Sequence, residues 1–334
     1  MPSYGVVHIN YLQAVLLGLL QGLTEFLPIS STAHMAVIPQ ILFRMRDPGA
    51  AFSAVVQLGP IVAIFAYFWQ DVKNYLRGIL ETKTPMRGLK GGSLDAKLGW
   101  FTILGTIPLI IFGVALEHKI DTSFRSLNYI GASLVLLGLI LWWAEKVGKR
   151  ILPLEKITFK QSQVIGWAQV LCLVPGASRS GVTITAGLFE GMDRESAAKF
   201  SFLLSIPAIT AAGVYKLQEV LRKSHLGPMV WPYLLGSLVA GIFAYIVVRW
   251  FMSYMKEHNT GIFIAYRIVL GALVLVLLHS GYVKERGPKV DNPTPVTYKI
   301  SYPARSLHSQ NPPIRRMSGR AGVALRSEGV VPRS

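Results

Sequence analysis

Six stretches of this chain, 51–69, 99–116, 127–144, 199–217, 231–252 and 262–280, are apolar over close to the ~20 residues that a helix needs to cross a bilayer. Backbone donors and acceptors in hydrocarbon must be satisfied inside the segment that carries them, so such stretches fold as helices. The composition agrees, with 51% hydrophobic and 15% charged residues and a mean hydropathy of +0.43. The predicted class is an all-α, polytopic integral membrane protein whose main partner is the bilayer.

Two further apolar regions, 9–43 and 163–192, are each interrupted near the middle by a proline and a cluster of hydroxyls. The first reads Q-G-L-T-E-F-L-P-I-S-S-T-A-H over 21–34 and the second P-G-A-S-R-S-G-V-T over 175–183. Irregular backbone survives at membrane depth only where protein or a wet cavity satisfies it. The expectation is therefore six transmembrane helices plus two re-entrant helical hairpins.

The interrupted regions also look like copies. Gly18 and Gln21 correspond to Gly166 and Gln169, and Phe52-Ser53 to Phe200-Ser201, all about 148 residues apart. With one deletion allowed, Pro28 matches Pro175 and Ser31 matches Ser178. The membrane-embedded unit is predicted over 1–282 as two repeats, about 9–144 and 163–281. Lys and Arg concentrate after Trp69 and after Ala144, which makes those loops cytoplasmic and the two halves inverted. Inverted repeats with broken helices place their site where the repeats meet.

The net charge of +17 lies in loops and in a tail, 283–334, where ten Lys and Arg face Glu285, Asp291 and Glu328. That pattern predicts a disordered basic tail rather than a nucleic-acid surface. Cys172 is the single cysteine, which excludes an intramolecular disulfide and a cysteine metal cage. The first apolar run has no basic segment before it and ends on Glu25, so it is expected to stay in the mature protein.

Ionisable residues in apolar surroundings mark function by default. Arg179 lies between Ser178 and Ser180, and its planar fork of donors suits a phosphate. Each interruption should start a new helix whose free amides favour an anion, with Ser30, Thr32, Ser178 and Ser180 near the phosphate. The alternative for Arg179 is a structural ion pair with Glu25, and for one or more of the hydroxyls a helix cap. Glu25 follows Gln21 by four residues on one helical face. The pair could hold a hard divalent cation, Mg2+ or Ca2+, or Glu25 could act as a general base and Gln21 as a packing amide. His34 lies one turn beyond Ser31 and could move a proton.

At these residues the sequence resembles the undecaprenyl pyrophosphate phosphatase family of the bacitracin-resistance type. Its glutamate-rich motif resembles 21–34, its arginine motif resembles 175–183, and the similarity extends over about 11–280. The resemblance implies an inner-membrane hydrolase that removes the terminal phosphate from the polyprenyl diphosphate carrier of peptidoglycan precursors with a divalent cation. It also implies Glu25 as the essential acid, Ser31 as nucleophile, His34 as the motif histidine and Arg179 as the phosphate-binding arginine, with the site open to the periplasm. Gln21 stands where the family has Glu or Gln, and Ala33 where many members have Gly. The attacking group is Ser31 or a water in its place, and a second copy of the chain is a candidate partner. The rival reading is a lipid transporter or flippase on the same architecture, with a membrane scaffold a distant third.

Overall fold

The computed structural model describes residues 9–43, 50–122, 126–223 and 230–283, all within one compact unit, Met1–Asp291. The basic tail lies, beyond Val283, outside the described residues. Thirteen α-helices are present among the described residues: α1 Tyr11–Thr24, α2 Ser31–Phe43, α3 Ala50–Val56, α4 Leu58–Tyr67, α5 Trp69–Thr82, α6 Pro85–Gly91, α7 Leu94–Thr122, α8 Leu127–Val147, α9 Phe159–Ala168, α10 Arg179–Phe189, α11 Arg194–Lys223, α12 Val230–Glu257 and α13 Gly261–His279. A 3₁₀ turn, Gln169–Leu173, follows α9.

Five of these helices are long and apolar enough to cross a membrane: Leu94–Leu116 of α7, all of α8, Arg194–Tyr215 of α11, α12 and α13. The chain is an all-α polytopic membrane protein. The expected crossing over 51–69 differs from a continuous helix, because it is divided into α3 and α4 at Gln57. Pro60 has no amide to donate to the carbonyl of Val56, and the helix restarts with that proline in its first turn. The stretch after Trp69, read from its charges as a loop, is helical. In α5 one face buries Val72, Tyr75 and Gly78, and Asp71, Lys73 and Arg77 lie among its polar residues.

Both halves open with the same device. Asn10 accepts from the Gln13 amide and Gln13 Oε1 accepts from the Asn10 amide at the start of α1. Thr158 and Gln161 do the same at the start of α9, 148 residues later. Each reciprocal pair satisfies two donors that a helix start leaves free.

The halves then exchange partners. Helix α1 packs along α12 of the second half, α9 packs along α7 of the first, and α8 packs along α13. Glycines permit the close approach: a Cβ on Gly18 would overlap the carbonyl of Gly236, and one on Gly166 would overlap Gly105. Small residues at such crossings let backbones touch where lipid gives no hydrophobic push. Beside the junction an aromatic cluster runs from Phe26 to Phe202 (5.5 Å between centroids), Phe251 (5.6 Å) and Phe263 (5.3 Å). It anchors the turn that follows α1, since Phe26 is 2% exposed.

Candidate active site

Helix α1 stops at Thr24 because Pro28, four residues on, removes the next donor. Helix α2 starts only after Ser30, whose φ of 72° lies in the left-handed region. In the second half Ser178 has φ 65° and caps α10 by accepting from the Gly181 amide at 3.2 Å. A non-glycine residue held there costs on the order of 1–3 kcal/mol and persists only when its surroundings enforce it. The pairing of Ser31 with Ser178 through a deletion is therefore corrected. Ser30 and Ser178 occupy equivalent caps in the undisturbed register of 148, which sets Ser31 opposite Arg179, Glu25 opposite Leu173 and His34 opposite Val182.

The two interruptions interlock. Ser178 and Ser180 donate to the carbonyl of Leu27 at 3.3 and 3.0 Å. The Gly176 amide donates to Thr32 Oγ1 at 3.2 Å. Gly176 has φ 90°, and any Cβ there would overlap Ser133, which donates to the Pro175 carbonyl at 2.6 Å. Ser30 and Thr32 share a hydrogen bond of 2.9 Å, and Ser30 accepts from the Ala33 amide at 3.3 Å. The hydroxyls expected on a phosphate thus cap helices and lock one turn to the other.

Between the interlocked turns lies one acid. Glu25 Oε1 accepts from Arg179 Nη2 at 3.0 Å, and Oε2 accepts from Ser31 Oγ at 2.7 Å and from Gln21 Nε2 at 2.8 Å. The Glu25 side chain is 4% exposed and that of Arg179 19%. The ion pair with Arg179 foreseen as the alternative is present, and the same contact brings carboxylate, guanidinium and hydroxyl into one ring. Thr32 is exposed and Ser31 half-buried at its rim.

His34 does not join that ring. Its Nδ1 faces the Ser30 carbonyl at 2.7 Å and its Nε2 meets the Tyr266 hydroxyl at 2.7 Å, with the two rings parallel. The next residue of α13, Arg267, is fully buried and reaches carbonyls of both turns. Neither α13 residue was singled out from the sequence. Arg267 was visible there as the single charge within 262–280, whereas a tyrosine in an apolar run has no such signature.

For a metal, the donor set is one carboxylate, one carboxamide and hydroxyls. Among the described residues no three His, Cys, Asp or Glu come together. This set fits a hard cation in the mode where one carboxylate shares it with substrate phosphates and waters.

A second polar cluster is built on Glu145 of α8. Its Oε1 accepts from Arg194 Nε at 2.7 Å, from Arg194 Nη2 and from Arg150 at 3.1 Å, and its Oε2 accepts from Thr260 Oγ1 at 2.7 Å. It fixes the start of α13 relative to α8 and α11.

The family model for the bacitracin resistance protein BacA matches residues 14–273. An undecaprenyl-diphosphatase of Pelodictyon phaeoclathratiforme is 48% identical over 280 residues, which cover 81% of this chain and 98% of the relative. Relatives with the same name from Chlorobaculum tepidum and Synechocystis are 40% and 42% identical, over 82% and 83% of this chain and 99% and 85% of their own lengths.

Proposed function

Because the chain belongs to the bacitracin resistance protein BacA family, we propose that it is an undecaprenyl-diphosphatase, a membrane hydrolase that converts undecaprenyl diphosphate and water to undecaprenyl phosphate and inorganic phosphate. The observation that carries the reading is the ring in which Glu25 binds Arg179 and Ser31 at the junction of the two broken segments. Several relatives carry the diphosphatase name.

The substrate's phosphates enter against Arg179 and displace it from Glu25. In the covalent route, the bond from Ser31 Oγ to the terminal phosphorus forms, and the bond from that phosphorus to the bridging oxygen breaks. The lipid leaves as its monophosphate, the hydroxyl proton passes to Glu25, and water then hydrolyses the phosphoserine. In the direct route a water takes the place of Ser31 and Glu25 receives its proton. The Ser31 to Glu25 hydrogen bond of 2.7 Å favours Glu25 over His34 as the first proton acceptor. Arg179 stabilises charge on the transferred group, where most of the rate gain in such reactions arises. Glu25 and Gln21 would hold a divalent cation, Mg2+ or Ca2+, which when bound neutralises phosphate charge. The reading includes the bacterial cytoplasmic membrane as location and a site open to the periplasm, for which the support is the Lys and Arg of the segments that follow Trp69 and Ala144 together with the family resemblance.

The carrier reading is not favoured. A carrier needs similar access from both sides of the membrane, whereas an enzyme can face one, and the two interruptions are chemically unequal, with Leu173 and Val182 opposite Glu25 and His34.

The test is phosphate release from a C55 diphosphate by purified protein with the cation supplied. Glu25→Ala is expected to lose about 10²-fold or more, and EDTA to abolish release until Mg2+ or Ca2+ is restored. Wild-type protein that releases no phosphate, or a Glu25→Ala protein close to wild type, would overturn the proposal. Ser31→Ala separates the routes, since direct attack by water survives it in part.

A further inference from the structure

Arg267 is 0% exposed, and among the described residues no carboxylate pairs with it. Its Nη1 donates to the Pro28 carbonyl at 3.3 Å, and its Nη2 to the carbonyls of Ala177 at 2.9 Å and Gly176 at 3.4 Å. Its Nε has no partner. Pro28 belongs to the first interruption and Gly176-Ala177 to the second, so one side chain from α13 holds both.

The guanidinium also presses on the first turn of α10. A Cβ on Gly181 would overlap Nη1 and stand 3.2 Å from the Ser178 side chain that caps the helix. A helix start carries partial positive charge, and a cation beside it is repelled. Burying a charge is expensive unless an opposite charge compensates it. Here the compensation is three carbonyls for five N–H groups, and the Glu25 carboxylate is engaged by Arg179, Ser31 and Gln21 instead. A buried guanidinium compensated by carbonyls alone is stabilised by an anion held beside it.

We propose that Arg267 is a positioning residue that fixes the two turns against each other and supplies a second, unbalanced positive charge for the phosphates received between them. The inference deepens the diphosphatase reading and rests on it for the identity of the anion.

The test compares wild type with Arg267→Met, which keeps the volume without the charge, and Arg267→Lys, which keeps the charge without the fork. Thermal unfolding of the full-length protein in detergent is measured with and without inorganic pyrophosphate, alongside kcat and KM for the C55 diphosphate. Pyrophosphate should raise the wild-type Tm by ligand linkage. Arg267→Met should lose at least half of that rise, and its KM should increase about ten-fold, equivalent to ~1.4 kcal/mol of binding. Arg267→Lys should recover part of both. A purely structural role would lower the Tm equally in both conditions and leave the increment intact, which overturns the proposal, as does a wild-type Tm that pyrophosphate does not move.

Should Arg267→Met fail to fold, Gly181→Ala displaces the guanidinium without removing it. An undiminished pyrophosphate increment in that variant also overturns the proposal. Loss of the increment in a protein that shows no turnover supports the charge assignment while sinking the reaction.

Discussion

The Tyr266 hydroxyl and the Ser30 carbonyl bracket the imidazole of His34, each at 2.7 Å. A carbonyl can only accept, so Nδ1 carries the hydrogen, and Nε2 receives from the phenol. Tyr266→Phe frees Nε2 without disturbing the packing of a side chain that is 44% exposed. One neutral hydrogen bond is worth about 0.5–1.5 kcal/mol, so kcat should fall roughly 2- to 12-fold. KM should hold, and the nitrogen chemical shifts of labelled His34 should report a changed tautomer balance. In a His34→Gln background the same substitution should cost nothing further, a non-additivity that a double-mutant cycle reads directly. Arg179→Lys should lose more, about 10²-fold in kcat/KM, because an ammonium cannot reproduce the planar fork. Glu25 and Arg179 could be picked out from the sequence because a charge in an apolar run needs an explanation. The partner of His34 could not be, because it lies 232 residues away and is made by packing α13 against α2.

The helix breaks were legible for the same reason that they form. Proline removes a donor and hydroxyls replace it, and both are local facts. Helix α5 was not legible, because Asp71, Lys73, Asn74, Arg77 and Glu81 in a 14-residue amphipathic helix give it the charge density of a loop. Its buried stripe of Val72, Tyr75 and Gly78 makes sense only against α7. The division between α3 and α4 was missed because mean hydropathy is blind to a single proline. Gly18 and Gly166 set how closely the two interrupted helices lie on their neighbours, and their neighbours there are backbone. Gly18→Val and Gly166→Val should each destabilise the protein by about 1–3 kcal/mol or more through overpacking, seen as a lower Tm in detergent. The larger loss is expected where the added atoms must displace α12 or α7. A Tm unchanged in both variants would show that these crossings are looser than described.

The first and second halves of the chain exchange helix partners rather than forming two adjacent domains. The family match ends at residue 273 and the compact unit at Asp291. Removal of 292–334 should therefore leave phosphate release within about two-fold of the full chain, which the same assay reads. The register of 148 was readable from a few repeated residues, but which half holds which helix was not, because repetition specifies likeness and says nothing about pairing. That pairing has a consequence for biosynthesis. Helix α1, which carries Gln21, must wait for α12, whose first residue is Val230. At ~5–20 residues per second the ribosome needs roughly 10–40 s to cover that distance. Glu25 is synthesised long before Arg179 is translated to pair with it, and the helix bearing Tyr266 and Arg267 emerges last. During that interval the acid lacks the guanidinium that binds it in the finished fold, so synthesis order alone delays closure of the site until the last helix is made.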